Sequence, residues 1–230
     1  MVAVAGAWGG VVALERRAVL QAMLSRPLVA ATGMGLLLHD VHSGLYVGML
    51  LELFHLGAAN LGAALPEHDT LAATGTAAAA ACMAHGTWGP STPAMYSLAI
   101  LVFAGLGHLG CGLDRRLEGY TSHLSQRALA SAEEGKLDKA IRQNLFGMWP
   151  YFLVFGVATS ICALLGFCLA PVMRALPAKA LSALAWAYPA MACVAAAIAA
   201  RGSHAKRAAT FAGLAAVAVT GVELYWAWRG

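Results

Sequence analysis

The stretch QNLFGMWPYFLVFGVATSICALLGFCLAPVM, residues 143–173, carries no charged side chain and decides the fold class of this chain. Residues 70–113 and 180–200 are also free of charge. About 20 helical residues cross the roughly 30 Å hydrocarbon core of a bilayer, so each stretch is long enough to span it. All three are rich in Ala, Leu and Gly and lack the alternation of polar and apolar residues typical of barrel strands. The sequence therefore predicts an all-α, polytopic integral membrane protein.

Composition supports a membrane protein rather than a soluble one. The chain has 230 residues, of which 60% are hydrophobic, and its mean hydropathy is +0.69. Charged residues make up 11%, against about a quarter in soluble domains. The net charge of +4 is small and scattered, so we expect no nucleic-acid partner. The five cysteines lie singly in apolar sequence without a CxxC pair, which favours small core residues over metal ligands or disulfides.

We expect residues 1–230 to form one membrane domain with four parts. Residues 1–92 hold short apolar pieces interrupted by charged residues, Gly and Pro, which predicts short, broken or re-entrant helices. Residues 93–113 resemble a plain span. Residues 114–144 form an amphipathic cytoplasmic segment, and residues 147–230 contain further transmembrane helices.

Basic residues cluster in four patches, and loops rich in Lys and Arg tend to stay cytoplasmic. If every segment between the patches crosses the membrane once, the four cannot all lie on one side. Some segments must then be half-spanning, or a loop must break the rule. The patches lie at residues 16–26, 115–142, 174–179 and 201–207.

The hydrophilic segment has the periodicity of an amphipathic helix. Its apolar residues recur at steps of three or four, while the arginines face elsewhere. The apolar positions are Leu113, Leu117, Tyr120, Leu124 and Ala128. Gly135 is expected to end this helix, and residues 136–144 begin another. Two interpretations stay open: the helix lies on the membrane surface or packs on a partner, or it forms a solvated helical hairpin.

Polar residues inside apolar sequence are the candidates for function. Glu52 and His55 are three positions apart, so they share a helical face on which Asn60 also approximately lies. A carboxylate at membrane depth costs a few kcal/mol, so it must pair, face a cavity or bind a polar ligand. Carboxylates and an amide suit a neutral polyol, because sugar hydroxyls both donate and accept hydrogen bonds. A hydrogen bond between helices is the structural alternative for Glu52.

A metal site is a second functional interpretation. Its ligands would be nitrogen and oxygen atoms of histidines and carboxylates, although no spacing here is diagnostic. The candidates are His39, Asp40, His42, Glu52, His55, His68 and Asp69. The chain lacks GxSxG and GxxxxGK[ST] motifs, so we expect neither a nucleophile of that type nor a phosphate-binding loop. We expect no cofactor and no catalytic residue.

A succession of short motifs resembles a known family. In order, they are SRPL at residues 25–28, GLLLHD at 35–40, GLYVG at 44–48, LE at 51–52, LG at 56–57 and NLGAA at 60–64, followed by a turn with Pro and Asp. This succession resembles the mannose/sorbose-type IIC subunit of the bacterial phosphoenolpyruvate–sugar phosphotransferase system. The resemblance covers most of the chain and is strongest over residues 15–75.

The resemblance implies a sugar permease subunit in the bacterial inner membrane. Such a subunit works in an oligomeric complex with a IID membrane subunit, and soluble IIA and IIB proteins phosphorylate the sugar as it crosses. It also implies that no residue of the IIC chain carries the phosphoryl group. By motif, Glu52 and Asn60 match family positions near the sugar, and the turn with Glu67, His68 and Asp69 matches the acidic turn beside it.

The sequence also departs from the family pattern. The family turn usually reads Pro-Pro-Asp, so the acid matches His68 strictly and Asp69 one place later. His39 stands where the family usually has Gly, and Ala replaces a Gly-rich pattern near residues 185–200. These departures leave open a IIC-like scaffold that keeps the fold and the partner surface but transports nothing.

Overall fold

A computed structural model of the protein describes residues 1–17, 22–56, 68–103 and 105–202, together with residues 214, 217, 218, 221 and 225. The continuous described segments form helices joined by short turns, and no strand occurs among them, which confirms the all-α fold class. The helices are α1 (Val2–Arg17), α2 (Pro27–Leu37), α3 (Val41–Leu56), α4 (Asp69–Thr87), α5 (Pro93–Phe103), α6 (Leu106–Glu133), α7 (Leu137–Phe146), α8 (Trp149–Ala175) and α9 (Ala178–Gly202).

Helix α4 is the centre of the bundle, and residues 70–84 are all buried. It packs alongside α8, where a Cβ atom added at Gly166 would lie 2.3 Å from the carbonyl oxygen of Ala79. Helix α1 also packs against α8, and a Cβ atom at Gly6 would lie 3.0 Å from the carbonyl oxygen of Gly156. Helices in membranes associate through such close backbone contacts, because lipid chains are as apolar as large side chains.

The bundle has two chemically different ends. The first, called the basic end, holds the last turn of α1 with Arg16 and Arg17, the starts of α2 and α4, and the α6–α7 hairpin. The second, called the histidine end, holds the turn at residues 39–42 and the segment at residues 85–91. Helices α2 and α3 connect the two ends as an antiparallel pair, with Gly35 beside Gly44.

The first helices of the chain are too short to cross a bilayer alone. Helix α2 has 11 residues and α3 has 16, which correspond to about 17 and 24 Å at 1.5 Å per residue. Among the described residues, length and composition allow two spans, Leu137–Ala175 and Ala178–Ala199. A third is possible if α5 and α6, whose axes differ by 42°, form one broken span. This agrees with the short and interrupted helices that the sequence predicts for a membrane protein.

One helix boundary lies elsewhere than the sequence suggests. We expected a plain span over residues 93–113, followed by the amphipathic segment from residue 114 onward. Instead α5 ends at Phe103, and α6 begins at Leu106 and runs through Asp114 to Glu133. Asp114 therefore lies inside α6, where its buried carboxylate is 3.2 Å from the guanidinium of Arg17.

The hydrophilic segment folds as a helical hairpin. Its turn contains Gly135 at φ +76°, a backbone conformation that favours glycine, so the helix ends where the sequence predicts. Leu113 and Leu117 pack against a cluster that includes Tyr151, as the apolar stripe predicts. Tyr120, by contrast, is 55% exposed.

Three of the four basic patches can now be placed. Arg16, Arg17 and Arg26 of the first patch and residues 115–142 lie at the basic end, whereas residues 174–179 join α8 to α9 at the histidine end. Helix α9 returns to the basic end and finishes at Gly202, and most of the last patch lies outside the described residues. Basic charge is therefore concentrated at one end.

We expect Gly166→Val to lower the free energy of unfolding by about 1–3 kcal/mol or more, because the added atoms would force α8 away from α4. Gly112→Ala is the matched control, since a Cβ atom there meets nothing within 4 Å. The control should leave stability unchanged or raise it by up to about 1 kcal/mol through helix propensity. Thermal unfolding in detergent measures both, and equal losses would contradict the packing.

Candidate functional site

A charged cluster lies at the basic end, where four segments of the chain meet. The last turn of α1, the turn before α2, the last turns of α3 and the first turn of α4 each contribute polar side chains. The charged cluster consists of Glu15, Arg16, Ser25, Arg26, Glu52, Asp69 and Thr70.

Glu52 on α3 caps the start of α2. Its carboxylate accepts a hydrogen bond from the backbone N–H of Leu28 at 3.2 Å and another from the guanidinium of Arg26 at 3.3 Å. The first N–H groups of a helix have no partner within the helix and carry partial positive charge, so they attract a carboxylate. Pro27, which has no N–H to satisfy, opens this helix. The side chain of Glu52 remains 18% exposed.

Glu15, which is not among the residues predicted from the sequence, performs a similar role for the turn before α2. It is 3% exposed and accepts hydrogen bonds from the backbone N–H groups of Leu24 at 3.2 Å and Ser25 at 2.9 Å. The available signal was a carboxylate at the end of an apolar helix. It was overlooked because the arginines that follow suggest a basic patch.

Arg16 ties α1 to α4. Its guanidinium forms an ion pair with Asp69 and donates a hydrogen bond to the hydroxyl of Thr70 at 3.0 Å. The hydroxyl of Thr70 in turn donates to the carbonyl oxygen of Ser25 at 3.0 Å. Glu52 and Asp69, which are distant in sequence, are thus connected through residues 25–28.

His68 precedes α4 and is buried. Its Nδ1 accepts a hydrogen bond from the backbone N–H of Leu71 at 3.0 Å, so the ring proton lies on Nε2. Burial, together with the charge of Arg16, lowers the pKa of His68 to about 3, so the ring is neutral. The imidazole stacks on Phe155 with ring centroids 4.1 Å apart, whereas Asp69 contacts Arg16 and is 27% exposed.

The remaining candidates lie elsewhere or outside the described residues. Asn60 and Glu67 fall in residues 57–67, which the structure does not describe. The Nδ1 atom of His55 lies 2.7 Å from the carbonyl oxygen of Leu51 on its own helix.

The histidine end does not join the charged cluster. His39, Asp40 and His42 line a cavity of about 390 Å³ together with His85 and Ser91. Asp40 accepts hydrogen bonds from the hydroxyl groups of Ser43 at 2.5 Å and Ser91 at 2.8 Å. These residues lie at the opposite end of the bundle from Glu52, His68 and Asp69, so the metal candidates do not form one site. In the described part of the chain, no group of three or more His, Cys, Asp or Glu could hold a metal ion.

Comparison with known proteins agrees with this architecture. A solved structure described as a membrane protein superposes with a TM-score of 0.63 and 20% identity, covering 99% of this chain and 92% of its own. The mannose transporter ManYZ, solved by cryo-electron microscopy in complex with microcin E492, gives a TM-score of 0.59 and 19% identity, with coverages of 95% and 85%. At these identities the likeness establishes the fold. No curated protein matches the chain.

The bundle of apolar helices with its charged cluster defines the chain as an all-helical integral membrane protein. The family of sorbose-specific IIC components of the phosphotransferase system matches residues 1–226. The chain belongs to this family, which confirms the resemblance drawn from the motifs and extends it over nearly the whole sequence.

Glu15→Ala should destabilise the protein, because two backbone N–H groups lose their acceptor and each buried unsatisfied group costs about 1–3 kcal/mol. Glu15→Gln keeps one accepting oxygen, so its stability should lie between that of the unaltered protein and that of Glu15→Ala. Glu133→Ala, on the exposed end of α6, should change stability by less than about 0.5 kcal/mol. Thermal unfolding in detergent ranks the variants, and a Glu15→Ala variant as stable as the control would show that Glu15 does not hold the turn.

Proposed function

We propose that the protein is the membrane permease subunit that moves a hexose across the bacterial inner membrane while partner proteins phosphorylate it. The observation that carries this proposal is the family match over residues 1–226. In this proposal a IID membrane subunit completes an oligomeric complex, and soluble IIA and IIB proteins deliver the phosphoryl group. No side chain of this chain carries the phosphoryl group, and no cofactor is needed.

The sugar site in this proposal includes two members of the charged cluster, Glu52 and Asp69. His68, Asn60 and Glu67 complete the proposed set. Glu52 and Asp69 keep part of their surface exposed, and each has an arginine as a neighbour, so the site offers both acceptors and donors to hydroxyl groups. His68 contributes indirectly, because it caps α4 and so holds the backbone that carries Asp69.

The distribution of charge supports a multi-pass orientation with the basic end in the cytoplasm. Arginine and lysine residues are concentrated at that end, on the last turn of α1 and on the hairpin. Segments rich in these residues are retained on the cytoplasmic side during insertion. The sugar site would then lie on the side where soluble phosphocarrier proteins are found.

A scaffold without transport activity is the second candidate, and one observation favours it. Both oxygens of the Glu52 carboxylate are engaged, one by Arg26 and one by the backbone of Leu28. A carboxylate engaged in this way can be explained by helix capping alone. Transport requires that a sugar compete for it or that neighbouring residues do the binding.

Glu52→Gln and Asp69→Asn should reduce phosphoenolpyruvate-dependent uptake of labelled hexose by about 10- to 100-fold, because hydrogen bonds to a charged group are worth about 1.5–3 kcal/mol. Asn60→Ala should reduce uptake to a similar extent. Uptake is measured in vesicles with the IIA, IIB and IID partners added. Glu52→Gln keeps an oxygen for the N–H of Leu28, so it should fold.

Glu133→Gln makes the same chemical change at an exposed position and should transport normally. Absence of uptake by the unaltered protein, with the complex intact, would support the scaffold. Normal uptake by Glu52→Gln would remove Glu52 from the sugar site.

Cysteine labelling tests the orientation. In a background with the five native cysteines replaced, Trp88→Cys lies at the histidine end, where Trp88 is 89% exposed. Glu134→Cys lies at the hairpin turn, where the side chain of Glu134 is 60% exposed. A membrane-impermeant maleimide should label Trp88→Cys in intact cells and Glu134→Cys only after permeabilisation. The reverse pattern would place the basic end outside.

A further inference from the structure

Two pairs of adjacent residues face each other at the basic end. Arg16 and Arg17 end α1, and His68 and Asp69 begin the α4 segment. Arg16 pairs with Asp69, whereas Arg17 pairs with Asp114 of α6 at 3.2 Å. The same oxygen of Asp114 lies 3.9 Å from Nε2 of His68, the nitrogen that carries the ring proton. Asp114 therefore lies between Arg17 and His68, which are the chain neighbours of Arg16 and Asp69.

Asp114 is unusual in its environment. It is 4% exposed, and its Oδ1 atom is buried without a hydrogen-bond partner in the described part of the chain. A buried carboxylate needs compensation, and here Arg17 supplies the nearest positive charge. Arg17 also binds Glu118 at 2.7 Å and lies over the ring of Tyr151, so its own position is set from several sides.

Helix α6 is pressed closely against His68. The backbone N–H of His68 donates to the carbonyl oxygen of Gly107 at 3.1 Å. A Cβ atom added at Gly110 would lie 2.5 Å from the Cβ atom of His68. The first turns of α6 thus determine where the backbone at His68 lies, and Asp69 is the next residue.

We propose that Asp114 is a positioning residue for the sugar site. Through Arg17 on one side and His68 on the other, it sets the orientation in which Arg16 and Asp69 meet. It acts on sugar affinity without touching the sugar. The inference rests on the proposed function, since it takes Asp69 as part of the sugar site.

Stability alone does not explain why this pair is charged. A buried ion pair replaced by apolar residues of similar size is often as stable as the original or more stable. Removing one partner, by contrast, leaves an uncompensated buried charge and destabilises strongly. The two roles therefore predict different results for a double variant. A purely structural role predicts that stability and KM both recover, whereas a positioning role predicts that only stability recovers.

The test compares Arg17→Met, Asp114→Leu and the double variant in the complete complex. Arg17→Met should unfold at a lower temperature, because Asp114 loses its counter-charge. The double variant should regain most of that stability, while its KM for hexose uptake stays raised by about tenfold or more and kcat changes less. Recovery of both stability and KM in the double variant would overturn the positioning role.

Glu118→Gln is the matched control. It also removes a carboxylate partner of Arg17, but its side chain is 38% exposed and no contact joins it to His68 among the described residues. It should leave KM unchanged. A tenfold rise in KM for Glu118→Gln would show that losing either carboxylate partner of Arg17 has the same effect. That result would contradict the role of Asp114.

A second readout does not depend on transport. The side chain at position 69 is 27% exposed, so in a background with the five native cysteines replaced the thiol of Asp69→Cys can be labelled with a maleimide. Adding Asp114→Asn should change its labelling rate several-fold, and adding Glu118→Gln should not. A changed rate without uptake by the unaltered protein would retain the positioning role and remove the proposed function. An unchanged rate would overturn the positioning role even if transport is intact.

Discussion

The ion pair between Arg16 and Asp69 connects three parts of the chain that are far apart in sequence. Arg16 ends α1, Asp69 begins α4, and Thr70 extends the contact to the turn at Ser25. Burial among apolar helices leaves little water to solvate these charges, so each must find a partner within the protein. Glu52 in turn joins α3 to the start of α2 through Arg26. The end of α3 is therefore held in the same region as the ion pair.

The same requirement explains the form of the basic end as a whole. Helices α2 and α4 both begin there, and each presents unpaired backbone N–H groups with partial positive charge. Glu52 accepts a hydrogen bond from such an N–H group at the start of α2, and the neutral ring of His68 accepts one at the start of α4. Three carboxylates and two arginines therefore lie in one small region without large net charge. Such a region can exchange internal hydrogen bonds for those of a neutral hydroxylated ligand, which is consistent with the proposed sugar site.

The sequence indicated which kinds of residue are candidates for a site, but not which residues contact one another. Glu52 stood out because a carboxylate in apolar sequence requires an explanation, and the structure places it in the charged cluster. Glu15 was not predicted, because the backbone N–H groups that donate to it lie in a turn whose position cannot be read from the sequence. Asp114 marked the apparent end of a span, yet it is buried inside α6, because a partner on a distant helix neutralises it. Charge by itself does not distinguish a residue outside the membrane from one paired within the bundle.

The sequence alone determined that the chain is an all-helical membrane protein, because long uncharged stretches satisfy their backbone in lipid only as helices. It also determined the family, through motifs in the first third of the chain that a comparison over residues 1–226 confirms. The tertiary structure decided which polar residues meet. It separated His39 and Asp40 from Glu52, and it placed His68 and Asp69 in different surroundings. These choices depend on how α1, α4 and α6 approach one another, and that approach is set by glycine contacts and ion pairs between residues distant in sequence.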